Sequence, residues 1–193
     1  ANIAIMARPA PCGGGCTYCP KGKNAPQSYT GKEPATRRAI RNNYDPFDQA
    51  LDRLEQYENN GHSIDKSKLI IMGGTFPFQD PDYQKEFIKR AFDGFNSYPE
   101  KDEIQDTSEF DGSDSLEEAK KINETAEVRN VGITFETRPD IAETKHIDRI
   151  LEMGGTRVEM GVQTVFDETH EKTNRGHGME PVIEATKRLK NAG

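Results

Sequence analysis

The stretch "NIAIMARPAPCGGGCTYCPKG", residues 2–22, begins with a short apolar run, meets Pro9 and Pro11, and then places Cys12, Cys16 and Cys19 within eight residues. An apolar run too short for a helix and ended by prolines reads as a buried strand feeding a loop. The same pattern recurs in "KLIIMGG" (68–74), "VGITFE" (131–136) and "RVEMGVQ" (157–163). Between these runs the apolar residues fall at helical spacing. In "YDPFDQALDRLEQYENNG" (44–61), Asp45 is the expected N-cap, Pro46 sits in the first turn, Phe47, Leu51 and Leu54 share a face, and Gly61 follows the end. "DPDYQKEFIKRAFDGF" (80–95) repeats the Asp-Pro start with Tyr83, Phe87, Ala91 and Phe95 in line. "SLEEAKKINETA" (115–126) opens with a Ser115 and Glu118 capping box, residues 141–153 read as a helix stopped by Gly154 and Gly155, and "EPVIEATKRLKNAG" (180–193) reads as a closing helix.

Strand and helix thus alternate four times, which predicts an α/β fold with a parallel sheet and right-handed crossovers. Functional groups in such folds gather where strands end at their carboxyl edge. Here those ends carry the cysteines, "GGT" (Gly73, Gly74, Thr75), "ETRPD" (136–140) and "GVQT" (161–164), so all four are expected on one rim. Four strands neither close nor balance such a sheet, and the 193 residues therefore read as one domain or one piece of a larger one.

No stretch has the roughly 18 consecutive apolar residues of a membrane span, and no apolar leader core follows the start, so a soluble cytoplasmic protein without a membrane partner is expected. The formal charge is −7, but it is unevenly distributed. Residues 21–41 carry six cations (Lys21, Lys23, Lys32, Arg37, Arg38, Arg41) against Glu33 alone, a balance of +5 directly after the cysteines. Residues 100–118 carry nine acids against Lys101, a balance of −8, and read as a solvated loop or a partly disordered insertion.

Three cysteines cannot pair evenly, and their tight spacing points to metal or redox chemistry in a reducing compartment. Two readings of the trio stand on spacing. A structural zinc would take a fourth ligand from His62, His146, His170 or His177 and make a non-enzymatic binding module. A four-iron cluster, which normally takes four cysteines, would keep one iron open to a small ligand.

The C-x3-C-x2-C spacing with Tyr18 before the last cysteine resembles the signature of the radical S-adenosylmethionine enzymes. That resemblance implies a partial (β/α) barrel of which residues 1–193 are the N-terminal part, a 4Fe-4S cluster on Cys12, Cys16 and Cys19, and S-adenosylmethionine chelated to the open iron as the source of a 5′-deoxyadenosyl radical. It further implies that Gly73, Gly74 and Thr75 meet the methionine amino group, Arg175 the carboxylate, Gln163 the ribose, and Glu136 an amino or ribose group. The strings "QSYTGKEPATRRAIRNNYDPFDQA", "GHSIDK", "IIMGGTF", "GITFETRPD", "RVEMGVQT" and "TNRGH" are similar to one branch, the catalytic subunit of Elongator and its archaeal and bacterial relatives. That similarity implies carboxymethylation of the tRNA wobble uridine at C5 by a transferase, with acetyl-CoA as carbon donor bound by an acetyltransferase-like domain outside these residues. Elongator-type subunits would then be partners. Lys21, Lys23, Arg37, Arg38 and Arg41 are the expected contacts to tRNA phosphates, and Tyr29 or Tyr44 the stacking platform for an unpaired base. A radical enzyme with another substrate, such as a porphyrinogen oxidase or methylthiotransferase, is the alternative within the superfamily.

Overall fold

In the computed structural model, which describes residues 1–104, 106–107 and 112–193, four strands form one sheet in the order β1-β2-β3-β4. They are β1 (Asn2–Met6), β2 (Lys66–Met72), β3 (Arg129–Thr137) and β4 (Arg157–Met160), and every neighbouring pair is parallel. The helices are α1 (Pro34–Arg41), α2 (Pro46–Asn59), α3 (Pro81–Asn96), α4 (Leu116–Asn123), α5 (Thr144–Glu152), α6 (Asp167–Lys172) and α7 (Met179–Asn191). The parallel sheet expected from the alternation is therefore present.

Register explains the core. Ile3 stands beside Leu69 and Leu69 beside Ile133, while Ile5, Ile71, Phe135 and Val158 form the next row across all four strands. Side chains alternate faces along a strand, so these rows share one face, which Phe87, Ile88, Ala91 and Phe95 of α3 cover. Phe76 joins the layers through tilted ring contacts with Phe135 and Phe87, centroids 5.9 and 5.3 Å apart. Glu136, one residue beyond Phe135, consequently points to the opposite face, as does its register partner Glu159.

The expected caps hold the helix starts. Asp45 Oδ1 accepts from the Phe47 and Asp48 amides at 2.8 and 3.2 Å, and Asp80 Oδ1 from the Asp82 and Tyr83 amides at 3.1 and 3.0 Å. Ser115 Oγ accepts from the Glu118 amide at 3.1 Å, while Glu118 reaches back one residue further than expected, to the Asp114 amide at 2.6 Å. Each such cap contributes ~1 kcal/mol.

The outer edge of β1 is satisfied by side chains instead of a strand. Buried Gln49 accepts from the Met6 amide at 2.8 Å and donates to the Met6 carbonyl at 3.0 Å, and Arg38 Nη2 donates to the Ala4 carbonyl at 2.8 Å. An edge strand presents unpaired N–H and C=O groups, and these two residues occupy several of them.

Some boundaries differ from expectation. The helix expected over 141–153 is a short 3-10 turn, Pro139–Ile141, followed by α5. The fourth strand stops at Met160, where the Val162 amide turns back to the Met160 carbonyl at 2.9 Å, and Gln163 then takes a left-handed φ of +70. Helices α1 and α6 go beyond the expected elements. α1 begins at Pro34, a first-turn proline, but Glu33 before it supplies no side-chain cap, and α6 follows Phe166, which supplies none either. Of the acidic run, a 3-10 helix spans Tyr98–Glu103 and Ser115 opens α4, while the reading of positions 105 and 108–111 as a solvated insertion lies outside the described residues. Among the described residues no helix is long and apolar enough to cross a membrane.

Candidate functional site

All four strand ends open on one cavity of about 630 Å³, within the range of small-molecule sites. Cys12, Cys16 and Cys19 line it, as do Lys21, Gly74, Thr75, Glu136, Gln163 and Arg175. The structure therefore brings together the three cysteines and five of the six expected cofactor contacts. Gly73, the sixth, is instead packed on β1: at φ +116, an added Cβ would lie 3.0 Å from the Ala7 amide nitrogen. No side chain fits there without moving backbone.

The cysteines are free thiols, each partly buried. Cys16 has two cationic neighbours, Arg175 Nη1 at 3.4 Å and Arg138 Nη1 at 3.7 Å. Burial raises the Cys16 thiol, but hydrogen bonds from Arg175 and Tyr18, the Arg175 charge and the Arg138 hydrogen bond outweigh it, and the net shift is downward, toward thiolate. Cys19 Sγ donates to Gln27 Oε1 at 3.3 Å. Among the described residues no three His, Cys, Asp or Glu side chains already converge on one point as metal ligands. The donor set nevertheless suits an iron–sulfur cluster: three soft sulfurs share a cavity wall, and one is drawn toward its anionic form. Arg175 Nε is buried with no hydrogen-bond partner, an N–H left for a ligand that the protein does not itself provide.

None of the four histidines is among the residues that line this cavity. His62 packs edge-on against Tyr57 at 5.7 Å, and His146 is buried on α5. His170 and His177 pack against one another at a tilt of 56°, centroids 5.1 Å apart, with His170 Nε2 3.0 Å from the Val162 carbonyl. The zinc reading thus lacks its fourth ligand at this wall.

Glu136 faces the cavity and accepts from the Tyr29 hydroxyl at 3.2 Å. Burial raises its carboxyl, the Tyr29 hydrogen bond lowers it, and the Glu159 charge raises it again, for a net upward shift. Burial, then the Glu136 charge and hydrogen bond, push the Tyr29 phenol well above its ordinary value, so Tyr29 remains a donor. Tyr29 is brought there by a strap over residues 27–33. Glu33 accepts from the Thr30 amide and hydroxyl at 2.8 Å each, from the Gly31 amide at 3.1 Å and from Thr36 Oγ1 at 3.1 Å. Hydrogen bonding from Thr30 holds the Glu33 carboxyl down at about 2.

The basic residues after the cysteines separate into groups. Lys21 stands at the cavity, and Lys23 and Arg37 are exposed. Arg38 is only 7% exposed and is committed to the Ala4 carbonyl. Arg41 is paired with Asp52, and the Tyr44 hydroxyl bonds the Asn24 carbonyl, so Tyr44 packs locally. Sequence reasoning misses Arg138, Thr137 and Glu159, which also line the cavity. The available signal for Arg138 is its place two residues after Glu136 in a strand-end string, with Asp140 two residues further.

The sequence matches the Radical SAM superfamily over residues 11–193. It is 46% identical over 199 residues to the tRNA uridine(34) acetyltransferase of Methanocaldococcus infernus, covering 100% of this chain and 35% of that protein. To the Dehalococcoides mccartyi protein of the same name it is 44% identical, covering 99% and 39%, and to Elongator complex protein 3 of Schizosaccharomyces pombe 39%, covering 100% and 35%. The solved archaeal Elp3 of Methanocaldococcus infernus with an N-terminal deletion (1–46) superposes with TM-score 0.71 and 37% identity, over 96% of this chain and 34% of that one. The chain spans about a third of the length of these curated relatives.

Proposed function

The chain belongs to the radical SAM superfamily, and from that membership we propose that it is the cluster- and cofactor-binding part of an enzyme that modifies the wobble uridine of tRNA, by C5 carboxymethylation. The observation that carries this reading is the single cavity whose wall holds three thiols and four strand ends but none of the four histidines. The relatives' names, tRNA uridine(34) acetyltransferase and Elongator complex protein 3, support the substrate.

Cys12, Cys16 and Cys19 would hold a 4Fe-4S cluster with one iron left open. Bound there with S-adenosylmethionine, it supplies an electron and a 5′-deoxyadenosyl radical for abstracting hydrogen from an unactivated carbon. The protein's own groups bind and orient. Arg175 lines the cavity and would meet a carboxylate there, for which a guanidinium fork is suited. Glu136 offers an acceptor on the cavity face to an ammonium or ribose hydroxyl, Gln163 a second polar contact, and the Gly74 and Thr75 turn a backbone surface. Lys21 at the cavity, with exposed Lys23 and Arg37, provides phosphate contacts for an RNA strand whose target base must leave its stack to enter. Acetyl-CoA as carbon donor, and Elongator-type partners, belong to the whole protein, of which this chain would be one part.

Anaerobic reconstitution with iron and sulfide tests the reading. Four irons and four sulfides per chain, and 5′-deoxyadenosine on reduction with S-adenosylmethionine, are expected; one zinc and no sulfide would end it. Cys12→Ala, Cys16→Ala and Cys19→Ala should each lose the four-iron centre. Reversing charge at the exposed Lys23 and Arg37 should weaken tRNA binding and flatten its salt dependence while leaving 5′-deoxyadenosine formation intact. Unchanged tRNA binding would favour a radical enzyme with another substrate.

A further inference from the structure

Arg138 has its guanidinium committed on all sides. Nε and Nη2 donate to the two Asp140 oxygens at 2.9 and 2.8 Å, Nη2 also donates to the Arg175 carbonyl at 2.8 Å, and Nη1 faces Cys16 Sγ at 3.7 Å. The side chain is 7% exposed. One guanidinium therefore ties together the loops that leave β1 and β3 and the segment between α6 and α7. The cysteine loop makes room for it: a Cβ on Gly14 would lie 2.1 Å from Nη1 and 2.8 Å from Cζ. Asp140 is backed by buried His177, whose Nε2 lies 4.0 Å away.

We propose that Arg138 is the positioning residue that sets the reduction potential of the cluster by aiming a fixed positive charge and an N–H at the Cys16 sulfur. This rests on the reading of Cys16 as a cluster ligand. Hydrogen bonds to ligand sulfurs and nearby net charge are the protein's main controls on iron–sulfur potentials. An arginine is always protonated, and burial keeps its charge from being screened by solvent ions. Asp140 occupies the far edge of the fork, so the pair presents its positive end to the sulfur. That arrangement stabilises the state with the extra electron and raises the potential. Arg175 Nη1 bears on the same sulfur at 3.4 Å; Arg138 differs in being fixed by its two-pronged tie to Asp140, so its charge at the sulfur can be changed from either member of that pair.

The pair gives an experiment in which the two substitutions act with opposite sign. The chain and its variants are reconstituted anaerobically, their iron and sulfide are counted, and the reduced fraction is read by electron paramagnetic resonance at a series of fixed potentials. Arg138→Met, which removes the charge and the N–H, should lower the reduced-to-oxidised ratio at a given potential at least tenfold, ~59 mV for a one-electron couple. Asp140→Asn, which removes the opposing carboxylate and keeps the guanidinium, should raise that ratio. If Arg138→Met takes up no cluster, Arg138→Gln replaces it with the same expected sign. Ratios within threefold of the parent, or shifts of the same sign in both variants, overturn the proposal, as does loss of the cluster from every variant, which would make Arg138 scaffold only. A parent chain that takes up no cluster refutes the proposed function instead.

Discussion

Gln49→Leu probes how the strand that launches the cysteine loop is held. The substitution keeps roughly the volume of the side chain and removes both of its bonds to Met6, the 2.8 Å acceptance from the amide and the 3.0 Å donation to the carbonyl. Met6 and Gln49 are both 0% exposed, so water cannot replace either partner. Each orphaned buried group costs about 1–3 kcal/mol, or about 2–6 kcal/mol for the two. Burying a leucine in place of an amide offsets part of this, about 1–3 kcal/mol. A net loss of about 1–3 kcal/mol is expected, a sizeable fraction of the ~5–15 kcal/mol typical of a domain. Urea denaturation of parent and variant, followed by circular dichroism with the slope held equal, measures it. Gln49→Glu adds a check of sign. Its ionised form can accept from the Met6 amide but sets an oxygen against the Met6 carbonyl, whereas the protonated form donates to that carbonyl. It should therefore be more stable relative to parent at pH 5 than at pH 8. A Gln49→Leu protein within 0.5 kcal/mol of parent would refute the claim that this side chain stands in for a neighbouring strand.

Arg38→Ala should lower stability by about 1.5–3 kcal/mol, the range for a hydrogen bond to a charged group, and leave the salt dependence of RNA binding as in the parent. A lost salt slope with unchanged stability would return Arg38 to the phosphate-binding group. Glu33, held at about 2 against an ordinary value of about 4.3, stabilises the strap over 27–33 fully above the ordinary value, and that contribution is lost as pH falls toward 2. A carboxyl resonance with its midpoint near 4.3 would contradict this, as would a Glu33→Gln chain whose Thr30 and Gly31 amides remain protected to the parent's level at neutral pH.

What could be read from the residues alone was local. Asp45, Asp80 and Ser115 cap helices with amides two or three positions away, and the strands are short apolar runs that alternate with helices, so helix starts, the parallel sheet and the shared rim were accessible before any coordinates. The spacing of the cysteine trio pointed to metal or redox chemistry but left zinc and an iron–sulfur cluster both open. The destinations of the long cationic side chains were not accessible. Arg37 and Arg38 are adjacent in sequence, yet one is exposed and the other lies under β1's edge; Arg138 and Arg175 reach Cys16 across 122 and 159 residues. A guanidinium that neutralises a phosphate and one that steadies a thiolate have the same local signature. Which it becomes depends on what the folded chain brings within reach, because charge and hydrogen bonding act over a few ångströms of space and are indifferent to distance along the chain.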